Sequence, residues 1–256
     1  PYLNKLKLCP QRFSAINAIN NEHIDHKNII NKLSLSFSPK SVIGCSLSHI
    51  LLCKHILNNY INFEDNYYLI LEDDVFPKKK YKNNTKLFYK DLTEIINNIK
   101  IIDNEWDIVQ LHSDGLIDTK NTYSTHLFTG STAAYLISKS GLNKMANEKA
   151  TYHIDFITQN FLKYRKYRSR ENLFYTNEKS SLNRINNKSL SLMLKSRILK
   201  ILIPLRGEKL WEDYLNFKTL RLPLLNKEYT ANNLIDISVV LFFFYIFKKN
   251  IKLLNY

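Results

Sequence analysis

YYLILEDDV, residues 67–75, is the stretch that decides how this chain folds. Tyr68, Leu69, Ile70 and Leu71 follow one another with no polar residue between them, so a strand built from them is apolar on both faces. That pattern predicts a central parallel strand covered by helices on each side. Glu72, Asp73 and Asp74 follow at once. In an open α/β sheet the ligand crevice lies beyond the carboxyl ends of the strands, which puts these acids at its edge. In extended geometry Glu72 and Asp74 face one side and Asp73 the other. Converging carboxylates repel, and a hard divalent cation, Mn2+ or Mg2+, relieves the repulsion by accepting oxygen ligands. Glu72 and Asp74 are therefore the candidate metal ligands. The competing reading is that they are solvated, cap a helix or pair with lysines.

Outward from this strand, short apolar runs alternate with helical patterns, the signature of an α/β sheet. Further strands are expected at Arg12 to Ile16, Asp107 to Leu111, Ala133 to Ile137 and Leu173 to Tyr175. Gly44 to Tyr60 reads as a helix, because Cys45, His49, Leu52, Cys53 and Ile56 recur on one face. Thr85 to Lys100 is a second helix, Gly141 to Asn147 begins a third, and a fourth is expected from Ile154 to about Tyr164.

Beyond residue 172 the composition turns to Asn, Ser, Lys and Glu, a polar connector that divides a catalytic domain, residues 1–185, from an extension, residues 186–256. Leu190 to Leu205 reads as a basic amphipathic helix. Ile237 to Phe247 is an apolar run of 11 residues followed by lysines. A spanning helix needs roughly 20 apolar residues, so this run packs in a core or lies on a membrane surface.

Lys and Arg outnumber Asp and Glu by 37 to 23, a formal charge of +14 that suits phosphates or anionic head groups. The basic residues are spread along the chain with no zinc-finger, RNP-like or helix-turn-helix pattern, which argues against nucleic acid as a partner. Cys9, Cys45 and Cys53 form no CxxC pair and no even framework, so neither a disulfide framework nor a thiolate zinc site is expected, and a reducing, cytoplasmic setting fits. No signal peptide opens the chain, which begins at Pro1.

Several separated stretches resemble glycosyltransferase family 25, which includes bacterial lipooligosaccharide galactosyltransferases and relatives of the collagen galactosyltransferases. RFSAINA (Arg12 to Ala18) resembles the family's segment ending in Ala-Ile/Val-Asp-Gly, and IGCSLSHILLCKHI (Ile43 to Ile56) its Gly-Cys-x-x-Ser-His helix. LILEDDV matches its acidic motif, and WDIVQL (Trp106 to Leu111), STAAYLIS (Ser131 to Ser138) and HIDF (His153 to Phe156) follow in the family's order. Asn17 and Ala18 depart from the family's Asp and Gly, and Ser41-Val42 from its Gly-Glu. The family's opening strand is expected upstream of Pro1.

The resemblance implies a GT-A-type nucleotide-diphospho-sugar transferase fold with a mostly parallel sheet. It implies inversion at the anomeric carbon, a UDP-galactose donor and a cell-surface saccharide or glycolipid acceptor. With the basic C-terminal extension, it suggests a cytoplasmic protein peripheral on the inner membrane. The alternative is an inactive membrane-associated or saccharide-binding protein that keeps the fold.

Asp155, in the HIDF motif, is the candidate general base, against the reading that it caps the following helix. Asp114 in HSDG is the second choice, or a turn residue. Candidate donor contacts are Arg12, Asn17, His49, Asp73, Ser131 and Thr132. Each has a plainer reading: His49 as a satisfied core histidine, Ser131 and Thr132 as local hydrogen bonders, Arg12 as a surface charge.

Overall fold

The computed structural model describes residue 3 and residues 6–60, 67–113, 131–160, 162–169 and 171–176, together with 195–196, 215–216, 218–222, 227–238 and 241 of the C-terminal third. After two 3-10 segments come helices α1 (Lys32–Phe37) and α2 (Lys40–Tyr60), then strands β1 (Tyr67–Leu71) and β2 (Val75–Pro77). Helix α3 (Thr85–Ile102) leads to β3 (Ile108–Gln110), and β4 (Ala134–Ser138) runs directly into α4 (Lys139–Ala146). Helix α5 (Ile154–Thr158), β5 (Lys166–Arg168), β6 (Phe174–Thr176), β7 (Lys218–Leu222) and β8 (Lys227–Thr230) complete the series.

Strands β1, β4, β3 and β5 form a four-stranded sheet in that order. Here the expectation of a mostly parallel sheet with β1 at its centre is corrected. Strand β1 pairs antiparallel with β4 from Tyr67↔Ser138 to Leu71↔Ala134, β4 pairs antiparallel with β3, and only β3 and β5 are parallel. The sheet is mixed, and among the described residues β1 lies at its edge.

The apolar run of β1 has a different cause from the one its pattern suggested. Tyr68 and Ile70 join a core with α2, α4 and α5, while Leu69 and Leu71 join a second core with α3 on the opposite face. Strands β3 and β4 divide the same way: Ile108, Tyr135 and Ile137 enter the first core, Val109, Ala134 and Leu136 the second. Covering on both faces removes polar alternation whatever the strand's direction or rank in the sheet.

Helix α2 shows how the sequence builds the first layer. Ile43, Leu47, Ile50, Cys53 and Ile56 recur at helical spacing and are all buried against the sheet. Gly44 lies on this helix where residues 16–18 cross it. A Cβ there would stand 2.6 Å from the Ile16 carbonyl oxygen. The Ile16 N–H donates to Ser48 Oγ at 2.8 Å, so residues 12–16, expected as a strand, are a loop whose polar backbone is answered by a helix side chain.

Two further expectations change. Helix α5 ends at Thr158 rather than near Tyr164, because the Asn160 side chain accepts from the Leu162 N–H at 3.2 Å and turns the chain. Strand β6 leaves the main sheet and pairs antiparallel with β2 in a two-stranded ribbon. The predicted helix at 190–205 and the apolar run at 237–247 lie outside the described residues, apart from Lys195, Ser196, Ile237, Ser238 and Leu241. No helix among the described residues is long and apolar enough to cross a membrane.

Gly141 fixes how α4 meets the sheet. A Cβ at this position would lie 2.4 Å from the Asp107 carbonyl oxygen and 2.8 Å from Ile137 Cγ1. The oxygen is backbone and cannot swing aside, so Gly141→Ala is expected to cost about 2–3 kcal/mol of stability, the upper part of the overpacking range. Chemical denaturation should report it as a lower midpoint with an unchanged slope.

Candidate active site

Four segments far apart in sequence meet at the end of β1. Helix α2 presents Cys45 and His49, one turn apart on the same face. Past β1 the Glu72 N–H still donates to the Ala133 carbonyl at 2.8 Å, which holds Glu72 beside the start of β4. The chain then turns at Asp73 and Asp74 into β2, so the acids are not in one extended run as expected. Asp73 is exposed, whereas Glu72 and Asp74 are half-buried.

Glu72 is held from two sides. His49 Nε2 lies 3.2 Å from Glu72 Oε1, and the Thr132 hydroxyl donates to the same oxygen at 3.4 Å. His49 Nδ1 is 2.9 Å from the Tyr135 hydroxyl. With Tyr135 donating to Nδ1 and Nε2–H donating to Glu72, the buried imidazole is satisfied at both nitrogens. His49 is thus a core histidine and a site residue at once.

Asp155 Oδ1 is buried without a hydrogen-bond partner among the described residues, and Asp74 is incomplete in the same way. Its Oδ1 is buried with no hydrogen-bond partner among the described residues. Burial pushes its carboxyl above the ordinary range, and the charges of Glu72 and Asp73 push it further, offset in part by its backbone N–H and by His112. A half-buried acid with an orphaned oxygen beside a second acid is the donor set a hard divalent cation accepts. Glu72 and Asp74 therefore fit such an ion.

Asp155 lies near the start of α5, whose N-cap residue is not Asp155 but His153. The Asp155 side chain is 18% exposed, with Oδ2 3.0 Å from His153 Nδ1. Burial alone would raise its carboxyl. The His153 imidazole, by charge and hydrogen bond, then Lys166 and the Thr132 hydroxyl outweigh that and hold it at about 2. Lys166 itself is 8% exposed and donates to Thr158 Oγ1 at 2.9 Å. Burial lowers its ammonium to about 8 against the opposing pull of Asp155.

Cys45 shows that these groups share one place. Burial raises its thiol well above the usual value, and the charges of Glu72, Asp155 and Asp74 add to the effect in that order. The charges of three carboxylates from two distant motifs thus all act on one thiol. Thr132 makes the same link, since it touches Glu72 and steadies Asp155.

The remaining candidates are placed less centrally. Ser131 is buried and locally engaged: its Oγ accepts from the Ala133 N–H at 3.2 Å, and its carbonyl accepts from Gln110 Nε2 at 2.7 Å. Arg12 is exposed on the loop that crosses α2. Asn17 is exposed, and its side chain accepts from the Asn20 N–H at 3.3 Å as a local cap. Asp114 lies outside the described residues.

The sequence profile of glycosyltransferase family 25 (LPS biosynthesis protein) matches residues 2–158. The chain belongs to glycosyltransferase family 25. No curated protein matches it. Membership makes this a transferase of lipopolysaccharide biosynthesis, working between a nucleotide-sugar donor and a saccharide acceptor. In this family 25 glycosyltransferase, Cys45, His49, Glu72, Asp74, Thr132, Tyr135 and Asp155 all fall inside the matched stretch, while Lys166 falls outside it.

Sequence reasoning missed Cys45, Tyr135, His153 and Lys166. The four-residue spacing of Cys45 and His49 on one helical face was a usable signal for the first, and the HIDF motif for His153. Tyr135 and Lys166 sit in strands and carry no mark of their role, which comes from tertiary placement.

Proposed function

We propose that this chain is an inverting, metal-dependent hexosyltransferase that moves galactose from UDP-galactose to a lipooligosaccharide acceptor, within a GT-A-type fold. The observation that carries the proposal is the buried, unsatisfied Asp74 Oδ1, in a place where the charges of Glu72, Asp74 and Asp155 all act on the Cys45 thiol. The two carboxylate sets differ in a way that suits two roles. Burial and the charges of Glu72 and Asp73 raise the Asp74 carboxyl with only a partial offset from His112, whereas Asp155 is compensated and ionised.

In this reading Glu72 and Asp74 hold Mn2+ or Mg2+, which when bound neutralises charge on the leaving diphosphate. His49 and Thr132 fix the Glu72 carboxylate, and exposed Asp73, with Ser131, Arg12 and Asn17 nearby in the motif order, borders the donor. Asp155 accepts the proton of the acceptor hydroxyl while that oxygen bonds to the anomeric carbon and the bond to the diphosphate breaks on the opposite face. A carboxyl held at about 2 is in its proton-accepting form across the whole physiological range. The protein works at the cytoplasmic face of the inner membrane, brought there by the basic stretch 190–205 and the apolar run 237–247.

A second reading, a saccharide-binding protein that has lost transfer, is favoured by Asn17, whose side chain is spent on a local cap. Calorimetry separates the two. The full chain titrated with UDP-galactose, UDP-glucose and UDP-N-acetylglucosamine should bind one of them in Mn2+ and lose that binding in chelator. Failure of every UDP-sugar to bind with metal present would sink the transferase proposal, and binding without any transfer would favour the second reading.

A further inference from the structure

Glu72 belongs to a second donor set besides the acids. A sulfur, a nitrogen and an oxygen, from Cys45, His49 and Glu72, all lie within 4.8 Å of one another. Hard cations prefer oxygen shells, and this set is of the other kind: thiolate, imidazole and carboxylate together select zinc and its thiophilic relatives. We infer that Cys45, His49 and Glu72 form a Zn2+ site that competes with the hard cation for Glu72, so that zinc switches the donor site off.

The geometry supports this at each ligand. Cys45 and His49 are spaced i, i+4 on the rigid helix α2, so their relative position is set by the backbone and not by a loop. Cys45 is half-buried and Glu72 partly exposed, which leaves an approach for the ion. His49 has its outer nitrogen on the Tyr135 hydroxyl. A tyrosine hydroxyl both donates and accepts, so Tyr135 supports either imidazole tautomer. It donates to Nδ1 in the metal-free protein and accepts from Nδ1–H when Nε2 turns its lone pair to zinc. Such an outer partner orients a metal-bound histidine.

Electrostatics favours the ion too. Burial first, and then the charges of Glu72, Asp155 and Asp74, oppose a bare thiolate at Cys45 and raise its thiol well above the usual value. The same negative charges favour a dication, and binding it releases the Cys45 proton to solvent. Cys9 is exposed and Cys53 is buried in the first core, and neither is one of the three ligating residues, which provides two internal controls.

The competition rests on the donor-site reading above; the thiolate site does not. Cobalt serves as the spectroscopic probe of a zinc site. The reduced, metal-stripped full chain is titrated with Co2+, and the expected result is a sulfur-to-cobalt charge-transfer band that Zn2+ abolishes. The band should persist in Cys9→Ser and Cys53→Ser and vanish in Cys45→Ser. Tyr135→Phe, which keeps the ring and replaces no ligand, should weaken Zn2+ by about 10- to 100-fold, the usual cost of removing an outer-shell partner. Absence of a thiolate band in the unaltered chain, or its survival in Cys45→Ser, overturns the site. Zn2+ should also block Mn2+-dependent UDP-sugar binding; binding of donor and zinc together would overturn the competition. If the band forms but no UDP-sugar binds with Mn2+, the transferase proposal fails and the zinc site stands.

Discussion

Asp74→Asn is expected to lower transfer by about 100- to 1,000-fold, the scale on which loss of one preorganised charge partner is felt at a transition state. It is expected to stabilise the fold as well. The folded-state carboxyl of Asp74 is raised above its unfolded value of 3.8 by burial, Glu72 and Asp73. A raised acid holds its proton more tightly when folded, so the folded state loses stability as pH rises from 3.8 through the folded value. At neutral pH Asp74 is therefore a liability to the fold, and the neutral amide removes it. Thermal unfolding should show a higher midpoint for the variant at pH 7 and no difference below pH 3.8, where both forms are neutral. A lower midpoint at pH 7, or transfer within a few-fold of the unaltered chain, would sink the assignment of Asp74 to the metal. A residue kept at a cost to stability is the mark of a functional site.

How much of this could be read from the residues depends on which physical force set each feature. Helices α2 and α3 follow from apolar periodicity, because burying one face dominates their energetics. The strands β1, β3 and β4 were legible as apolar runs for the same reason. Strand direction was not. An apolar run reports how many faces are covered, and β1 is covered on both while pairing antiparallel at an edge. The loop at residues 12–16 was misread because its pattern is strand-like while its backbone is satisfied by Ser48, a partner 32 residues away.

The site divides along the same line. Glu72 and Asp74 were visible as acids closing an apolar run, and Asp155 as an acid within a motif. Their convergence was not visible. It depends on Gly44 and Gly141 letting loop and helix approach closely, and on β4 and the residues leading into it bringing Tyr135 and Thr132 beside the end of β1. The environment of Asp155 was equally hidden, since Lys166 comes from β5 and no local pattern ties it to α5.

Asp155→Asn should show the opposite balance from Asp74→Asn. As a general base its loss is expected to lower the rate by about 100- to 10,000-fold, with the effect in kcat more than in KM. Its carboxyl is depressed from 3.8 to about 2, so ionised Asp155 stabilises the fold by about 2 kcal/mol at neutral pH. That contribution is fully present above the unfolded value and is lost as pH falls through about 2. The amide keeps the shape and leaves Lys166, buried and near Thr158, without its counter-charge. The variant should thus unfold at a lower temperature at pH 7, while the unaltered chain loses the same increment on acidification. Since one substitution strikes both rate and stability, assays are made well below the variant's unfolding midpoint and expressed per folded molecule. A purely structural Asp155 would then return near full turnover, and that outcome would move the base elsewhere. Lysine supplies an independent check on the pair. Lys166→Met removes a buried cation that burial already disfavours, so it should cost less stability than Asp155→Asn and leave the carboxylate ionised. If Lys166→Met instead matched Asp155→Asn in lost turnover, the proton would be passing through the lysine, and the carboxylate would be its positioning partner.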